Sequence, residues 1–559
     1  MNHRKISLAV LLSCCLGSLA VQAGQIQRAL IISVDGLHAL DVANYIKVHP
    51  GSALAQLTSH GVTYANARTP ANSDSFPGLL ALLTGGSPVS HDLFYDVSYD
   101  RTYFVNGAPD CSRVLSADDP TYGLLKGAPA GPGSTIAFDE TIDLYGTDPH
   151  TGKPLSMNTI NPASLPRRID SNGNCVPVYP HNALKTNTIF EVVKAHGGVT
   201  AWADKHPAYE MVKGPSGSGL SDLYTPEITN VGGLDNTASV ICTHENDHLK
   251  TIALINQIHG LTHDGHPLGN VPSVFGTDYQ AVSVGQKLAA DTPDASCVNS
   301  VTAIDAARLS GQPGGYQDGA GTPTDVLAYA LDKVDADLEA IIDALQSQHL
   351  YDSTLFIVTA KHGQSPINPV KTNKPGHFAD LVAGLGSVSG VTLSSEDVAA
   401  QNVLANAANC MSGPCGFVQD DDIALIWLPD QTQTASVARL INKYAKELYV
   451  DEVMAGNEIK LKFNDPMHDP RTPDIVVQPI YGTVYTSSTK KNAEHGGFSF
   501  GDTNVGLVLS NPGFRAMTIK TPATTAEVPV TILKALGINP TELQSVRAEH
   551  TGELPGFFN

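Results

Sequence analysis

Short apolar runs that read as strands recur between stretches of helical periodicity, and this alternation limits the fold more than any other feature of the sequence. The runs are Ala29-Val34, Gly198-Trp202, Thr354-Ala360, Ile423-Leu428, Ile475-Gln478 and Val505-Leu509. The clearest helix covers Asp325 to His349, where Val334, Leu338, Ile341, Ile342 and Leu345 form one apolar stripe. Strands separated by helices predict an α/β fold built on a doubly wound, largely parallel sheet with helices on both faces. At 559 residues the chain exceeds one ordinary core, so several domains or one large α/β domain with insertions are expected. No repeat, heptad run or low-complexity tract marks a detachable second domain. Tyr95 to His181, dense in Gly, Pro, Asp and Ser, reads as a loop-rich insertion or lid over 95–181. His244 to Gly276, rich in His, Gly and Asp, reads as a second irregular stretch near the mouth of a site.

The chain opens with Met-Asn-His-Arg-Lys, an apolar run from Ile6 to Ala20 and Val21-Gln-Ala23. This pattern predicts a secretory signal over 1–23, cleavage after Ala23 and a secreted or periplasmic protein spanning 24–559. A lipid-attachment reading of Leu11-Leu-Ser-Cys14 is the lesser alternative, because the apolar run before it is short. No other stretch has the apolar length of a membrane span. The net charge is −21, or −23 once Arg4 and Lys5 are removed, which argues against binding a nucleic acid duplex through bulk electrostatics. A compact anionic substrate would need local cations, and metal ions are one source. Without Cys14 and Cys15 six cysteines remain, an even number suited to disulfides in an exported chain. Several connectivities are open. Pairing by proximity joins Cys111 to Cys175, Cys242 to Cys297 and Cys410 to Cys415. Zinc binding by these thiols is disfavoured, since no Cys-x-x-Cys pair occurs.

Ser75 stands in Asn72-Ser-Asp-Ser-Phe-Pro-Gly, just ahead of an apolar helix carrying Leu79, Leu80, Leu82 and Leu83. Pro77 fits the first helical position, and a hydroxyl at such an end lies beside unpaired N–H groups that favour an anion. The ordinary alternative for Ser75 is a helix cap. Upstream, Ala29-Leu-Ile-Ile-Ser-Val-Asp-Gly36 reads as a buried parallel strand delivering Asp35 at its carboxyl end, where ligands of open α/β sheets bind.

A strand ending Val-Asp-Gly, followed some way on by Ser-Phe-Pro and Leu-Thr-Gly, resembles the start of the type I phosphodiesterase and nucleotide pyrophosphatase family of the alkaline phosphatase superfamily. The resemblance implies an alkaline-phosphatase-like catalytic domain over 24–559, with Ser75 as nucleophile and metal-bound residue and Asp35 as a metal ligand. Lys361-His-Gly363, after the Thr354-Ala360 strand, matches an Asp-His-Gly element, so His362 carries over as a ligand and Lys361 does not. His495 in Glu494-His-Gly-Gly matches the late His-Gly, whose His binds the other metal, so the resemblance implies His495 as a further metal ligand, with a surface loop His as the ordinary alternative. An Asp-x-x-x-His element aligns least well: Gly314 falls at its Asp and Asp318 at its His, leaving Asp318 as a substitute ligand or a turn residue. The family's Asn two residues after Phe is Gly78 here, and backbone N–H groups or Asn72 are the candidates to support developing charge in its place. Two roles fit Lys361, a clamp for an anionic substrate oxygen or a base of depressed pKa that activates Ser75.

The expected activity is hydrolysis of a small phosphate ester, of phosphodiester or nucleotide pyrophosphate type, through a phosphoserine and one or two divalent metal ions, zinc first. A degenerate, non-catalytic ligand-binding protein is the alternative of another class, favoured by Gly314 and Lys361. A sulfatase-like hydrolase is disfavoured because Ser75-Phe-Pro-Gly-Leu79 lacks the Arg of that signature, and a Ser-His-Asp esterase because no Gly-x-Ser-x-Gly surrounds Ser75. His206, His244, His248, His263 and His266 are further polar candidates, placed in loops.

Overall fold

The computed structural model describes residues 26–104, 111, 133–137, 160, 162, 165–228, 236–408 and 416–558. The segment 1–23 and the Cys410 and Cys415 pair lie outside the described residues. Twelve strands make the two larger sheets: β1 (Arg28–Val34), β2 (Gly61–Tyr64), β3 (Thr200–Ala203), β4 (Asp222–Tyr224), β5 (Val274–Tyr279), β6 (Thr354–Thr359), β7 (Phe417–Asp420), β8 (Ala424–Trp427), β9 (Val450–Ala455), β10 (Ile475–Pro479), β11 (Leu507–Ser510) and β12 (Met517–Ile519). Four helices bear on the sites described below: α1 (Ser75–Thr84), α2 (Val240–Ile258), α3 (Ala281–Lys287) and α4 (Asp325–Ser347).

The main sheet runs β12-β2-β11-β6-β1-β5-β3-β4. β1 is parallel to both β5 and β6, β5 to β3 and β3 to β4, while β11 is antiparallel to β6 and to β2. The fold is therefore α/β with a large, mostly parallel central sheet. β1 sits in its middle with six of its seven residues buried, which is why its sequence is a continuous apolar run rather than an alternating one. In β5, Gly276 is required: a β-carbon there would come 2.1 Å from the Ile31 carbonyl oxygen and 2.7 Å from the Trp202 ring.

Two of the expected strands join a different sheet. β8 and β10, read from Ile423-Leu428 and Ile475-Gln478, lie in a four-stranded antiparallel sheet ordered β7-β8-β10-β9. Alternate residues of β8 feed two apolar clusters, Ala424 and Ile426 on one side, Leu425 and Trp427 on the other. An apolar run states that a strand is covered on both faces, not which sheet it enters.

The stretch His244 to Gly276 is not an irregular segment: it holds most of α2 and the start of β5. α2 is masked because its buried face mixes apolar residues, Val240, Ile241, Leu254 and Ile258, with polar ones, Asn246, Asp247, Lys250, Thr251 and Gln257. The described part of 95–181 adds no strand to the main sheet and forms two small antiparallel pairs, Val97–Asp100 with Ser134–Ala137 and Arg167–Ile169 with Cys175–Pro177. Disulfides join Cys111 to Cys175 and Cys242 to Cys297. No helix among the described residues is long and apolar enough to cross a membrane.

Candidate active site

Four strands of the main sheet each end in a charged residue at one edge. β1 delivers Asp35, β3 is followed by Asp204 and Lys205, β5 ends in Asp278-Tyr279, and β6 is followed by Ala360, Lys361 and His362. Parallel strands bring these carboxyl ends together, so residues far apart in sequence share one buried cluster.

Ser75 enters from the side, as the first residue of α1. The cap of this helix is Asp74, not Ser75, and Pro77 stands two residues inside it. The Asp74 carboxylate accepts from the Phe76 N–H at 3.4 Å and the Asp96 N–H at 2.8 Å. A protein carboxylate therefore already holds the helix end expected to attract a substrate anion. Further along the first turn, Gly78 lies against β6: a β-carbon there would come 1.8 Å from the Lys361 carbonyl oxygen. The family's Asn cannot be accommodated at this position, and close backbone approach is the reason.

Ser75 Oγ is 3.5 Å from His362 Nε2, and His362 Nε2 is 3.5 Å from Asp35 Oδ1. His362 Nδ1 pairs with the Gly363 carbonyl at 2.8 Å, so that nitrogen carries the proton and Nε2 presents a lone pair. Burial, then the neighbouring His495, pushes the imidazole pKa down to about 4, which keeps it neutral. The His362 and His495 rings stack with centroids 3.8 Å apart, and His495 Nδ1 lies 3.1 Å from Asp74 Oδ1. Asp35, Ser75, His362 and His495 thus share one site, with Asp74 as an additional member.

Lys361 is fully buried, with Nζ 2.8 Å from Asp278 Oδ2, 3.0 Å from the Tyr209 hydroxyl and 3.3 Å from Asp35 Oδ2. Burial favours its neutral form, but Asp278 and Asp35 outweigh that and hold the ammonium pKa well above the usual lysine value. Lys361 is a fixed cation here and not a base of depressed pKa. Lys205 Nζ is 2.8 Å from Asp35 Oδ2 and also donates to Gln280 Oε1. Against the effect of burial, Lys205 and Lys361 keep the Asp35 carboxyl well below the ordinary range. Burial and the nearby Asp35 push Asp278 up to about 8, with Lys361 opposing.

Two other candidates are placed differently from their expected roles. Asp318 is exposed and closes its own turn, accepting from Ala320 N–H, Thr322 N–H and Thr322 Oγ1 at 2.9, 3.2 and 2.8 Å. The stretch Gly314–Pro323 reaches inward through Tyr316 instead, whose hydroxyl bonds Asp41 and accepts from Gln286. Asn72 is buried in the left-handed region at φ 63° and donates one of its two amide N–H groups to the Phe94 carbonyl at 2.7 Å, which fixes its side chain toward that carbonyl. His206, His263 and the pair His244 and His248 face carboxylates of Glu227, Asp222 and Asp337 respectively, the last pair from within α2 rather than a loop.

Lys205, Asp278, Tyr209 and Asp74 are members of the site that motif reading passes over. The signal for Lys205 and Asp278 is present in the sequence as a charge at the end of an apolar run, in Thr200-Ala-Trp-Ala-Asp-Lys205 and Val274-Phe-Gly-Thr-Asp278.

The donor set does not fit a pair of metal ions, because Asp318 is at the surface and Asp35 Oδ2 is taken by two ammonium groups. It does fit one. Asp35 Oδ1 is buried without a hydrogen bond, and the 3.5 Å separations of His362 Nε2 from Asp35 Oδ1 and from Ser75 Oγ suit a shared ion of the ~2.0–2.2 Å bond lengths typical of zinc.

A serine on a helix end, an aspartate from the first strand and two imidazoles from later loops, gathered at one edge of this sheet, define the class as the alkaline phosphatase superfamily of phosphoester hydrolases. Within it the chain belongs to the type I phosphodiesterase/nucleotide pyrophosphatase family, whose profile matches residues 29–212 and 300–501. Among solved structures the chain is similar to the alkaline phosphatase PafA, at 12% identity and a TM-score of 0.51, covering 92% of this chain and 96% of that one. It is also similar to murine ectonucleotide pyrophosphatase/phosphodiesterase 5, at 13% identity and a TM-score of 0.48, with the same coverages of 92% and 96%. No curated protein sequence matches it.

Proposed function

We propose that the protein is an exported, metal-dependent hydrolase of phosphodiesters or nucleotide pyrophosphate-type bonds, with Ser75 as the nucleophile. The observation that carries this reading is the approach of Ser75 Oγ to His362 Nε2 at 3.5 Å, beside a buried Asp35 oxygen that has no other hydrogen bond. Asp35, Ser75 and His362 would hold one divalent cation, zinc by the chemistry of the set, which when bound lowers the pKa of the serine hydroxyl and offsets charge on the phosphoryl oxygens.

The rest of the work belongs to the chain. Ser75 Oγ attacks phosphorus in line, the bond to the leaving oxygen breaks, and water later displaces the phosphoryl group from serine. Lys205 and Lys361 keep Asp35 ionised and oriented, and bring two positive charges to a cluster in which Asp35, Asp74 and Asp278 supply carboxyl groups. Their burial strengthens each of these interactions by excluding water. The two disulfides suit an oxidising compartment and support export.

Purified protein assayed on bis-p-nitrophenyl phosphate and p-nitrophenyl phosphate, beside Ser75→Ala, tests the reading. A loss of at least about a thousand-fold is expected for the variant, with the diester the better substrate. Equal rates for the two proteins would remove the nucleophile and favour a binding protein of the same fold, whose Lys205 and Lys361 merely neutralise buried acids.

A further inference from the structure

We propose that His244, His248 and Asp337 form a second divalent-cation site, of the zinc class and independent of Ser75. α2 carries the sequence His244-Glu-Asn-Asp-His248, and the spacing of four residues places both imidazoles on one face of the helix. α4 packs against α2 and sets Asp337 between them: His244 Nε2 is 3.1 Å from Asp337 Oδ2 and His248 Nδ1 is 3.0 Å from Asp337 Oδ1. The three ligand atoms all lie within 4.8 Å of one another, and no other group of three His, Cys, Asp or Glu among the described residues does the same.

Two imidazoles and a carboxylate select zinc and its borderline neighbours over calcium or magnesium, which prefer oxygen ligands throughout. Asp337 is buried, His244 is partly buried and His248 is at the surface, so an ion would enter from the His248 side and keep a position open to water. The helix that bears both imidazoles is tied to its surroundings. Asp247, inside the motif, accepts from the Gln280 and Ala281 N–H groups at the start of α3, Lys250 donates to the Asp278 carbonyl at 2.6 Å, and Cys242 is bonded to Cys297. Both imidazoles are therefore presented without reordering the helix. They lie between the two segments that match the family profile, 29–212 and 300–501, so the family resemblance does not account for them.

Without an ion, the same geometry is a carboxylate shared by two imidazoles, and metal titration separates the two cases. Chelator-stripped wild-type protein titrated with Co2+ should bind one equivalent more than His248→Ala, with visible d–d bands belonging to that extra ion. Excess Zn2+ should raise the thermal midpoint of wild type by more than that of His248→Ala, and Asp337→Asn should behave as His248→Ala does. Hydrolysis of the nitrophenyl esters by His248→Ala should match wild type, so failure of this site is distinguishable from failure of the Ser75 reading. Because His248 is at the surface, its loss does not threaten folding. Equal stoichiometry and an equal zinc shift in wild type and His248→Ala would overturn the site.

Discussion

Gly78 and Lys361 meet backbone to side-chain position, and each constrains the other. The obstacle to a side chain at 78 is the carbonyl carbon and oxygen of Lys361, which cannot rotate away as a flexible side chain would. Gly78→Ala is therefore expected to cost about 1–3 kcal/mol or more, read as a lowered urea midpoint, and to reduce hydrolysis by displacing Ser75 relative to His362. An unchanged midpoint would show that α1 and the end of β6 can separate freely. Lys361 itself carries a different prediction. Lys361→Ala removes one of two ammonium groups from Asp35 and the partner of Asp278, leaving buried carboxyl groups under-compensated. Breaking such a pair costs about 3–5 kcal/mol, and activity should fall with it. Metal content by elemental analysis should not change, because Lys361 is not a ligand. Full activity at unchanged metal content would show that its charge has no part in the chemistry.

At the scale of elements, what could be read from the sequence followed the apolar pattern. β1, β6, α1 and α4 are continuous runs or clean stripes, and with them came Asp35, Ser75 and His362, each fixed to the end of a legible element. β5 and α2 were hidden by their polarity. β5 contains Gly276, Thr277 and Asp278, and in the inward face of α2 the apolar Val240, Ile241, Leu254 and Ile258 are interrupted by the polar Asn246, Asp247, Lys250 and Gln257, so neither is a clean hydrophobic template. Asp278 stays out of view with β5, whereas the Gly314–Pro323 turn enters through its alignment with the family's Asp-x-x-x-His element. The connection from α2 to β5 also contains His263, whose Nδ1 is 2.7 Å from Oδ1 of Asp222, the first residue of β4. Its hydrogen bond to Asp222, opposed by partial burial, raises the imidazole pKa. A raised folded-state pKa means that the pair stabilises the protein below the ordinary histidine value of about 6.5, and that this contribution is lost as pH rises through the higher folded value. The difference in urea midpoint between wild type and His263→Ala should accordingly be larger at about pH 5.5 than at about pH 8.5. A difference independent of pH would mean that the stacking of His263 on Tyr224, at 4.8 Å, accounts for the effect.

For the molecule as a whole, the central question is how a chain of net charge −21 keeps a compact cluster of acids and cations in register at one sheet edge. Hydrophobic burial holds the sheet, but among the described residues the segment between β4 and α4 contributes one strand to it and carries Asp278, α2 and α3. The Cys242–Cys297 disulfide closes a loop of sequence separation 55 around this segment, so its stabilising effect falls on the unfolded chain and not on any contact of Ser75. Replacing both cysteines by alanine should lower stability by about 2–5 kcal/mol, seen as a lower urea midpoint. At a temperature where the variant remains folded, kcat/KM should stay within about two-fold of wild type, since β5 is still paired to β1 and β3 on either side. A large fall in kcat/KM in the folded variant would mean instead that the cross-link positions Asp278, and through it Lys361, directly.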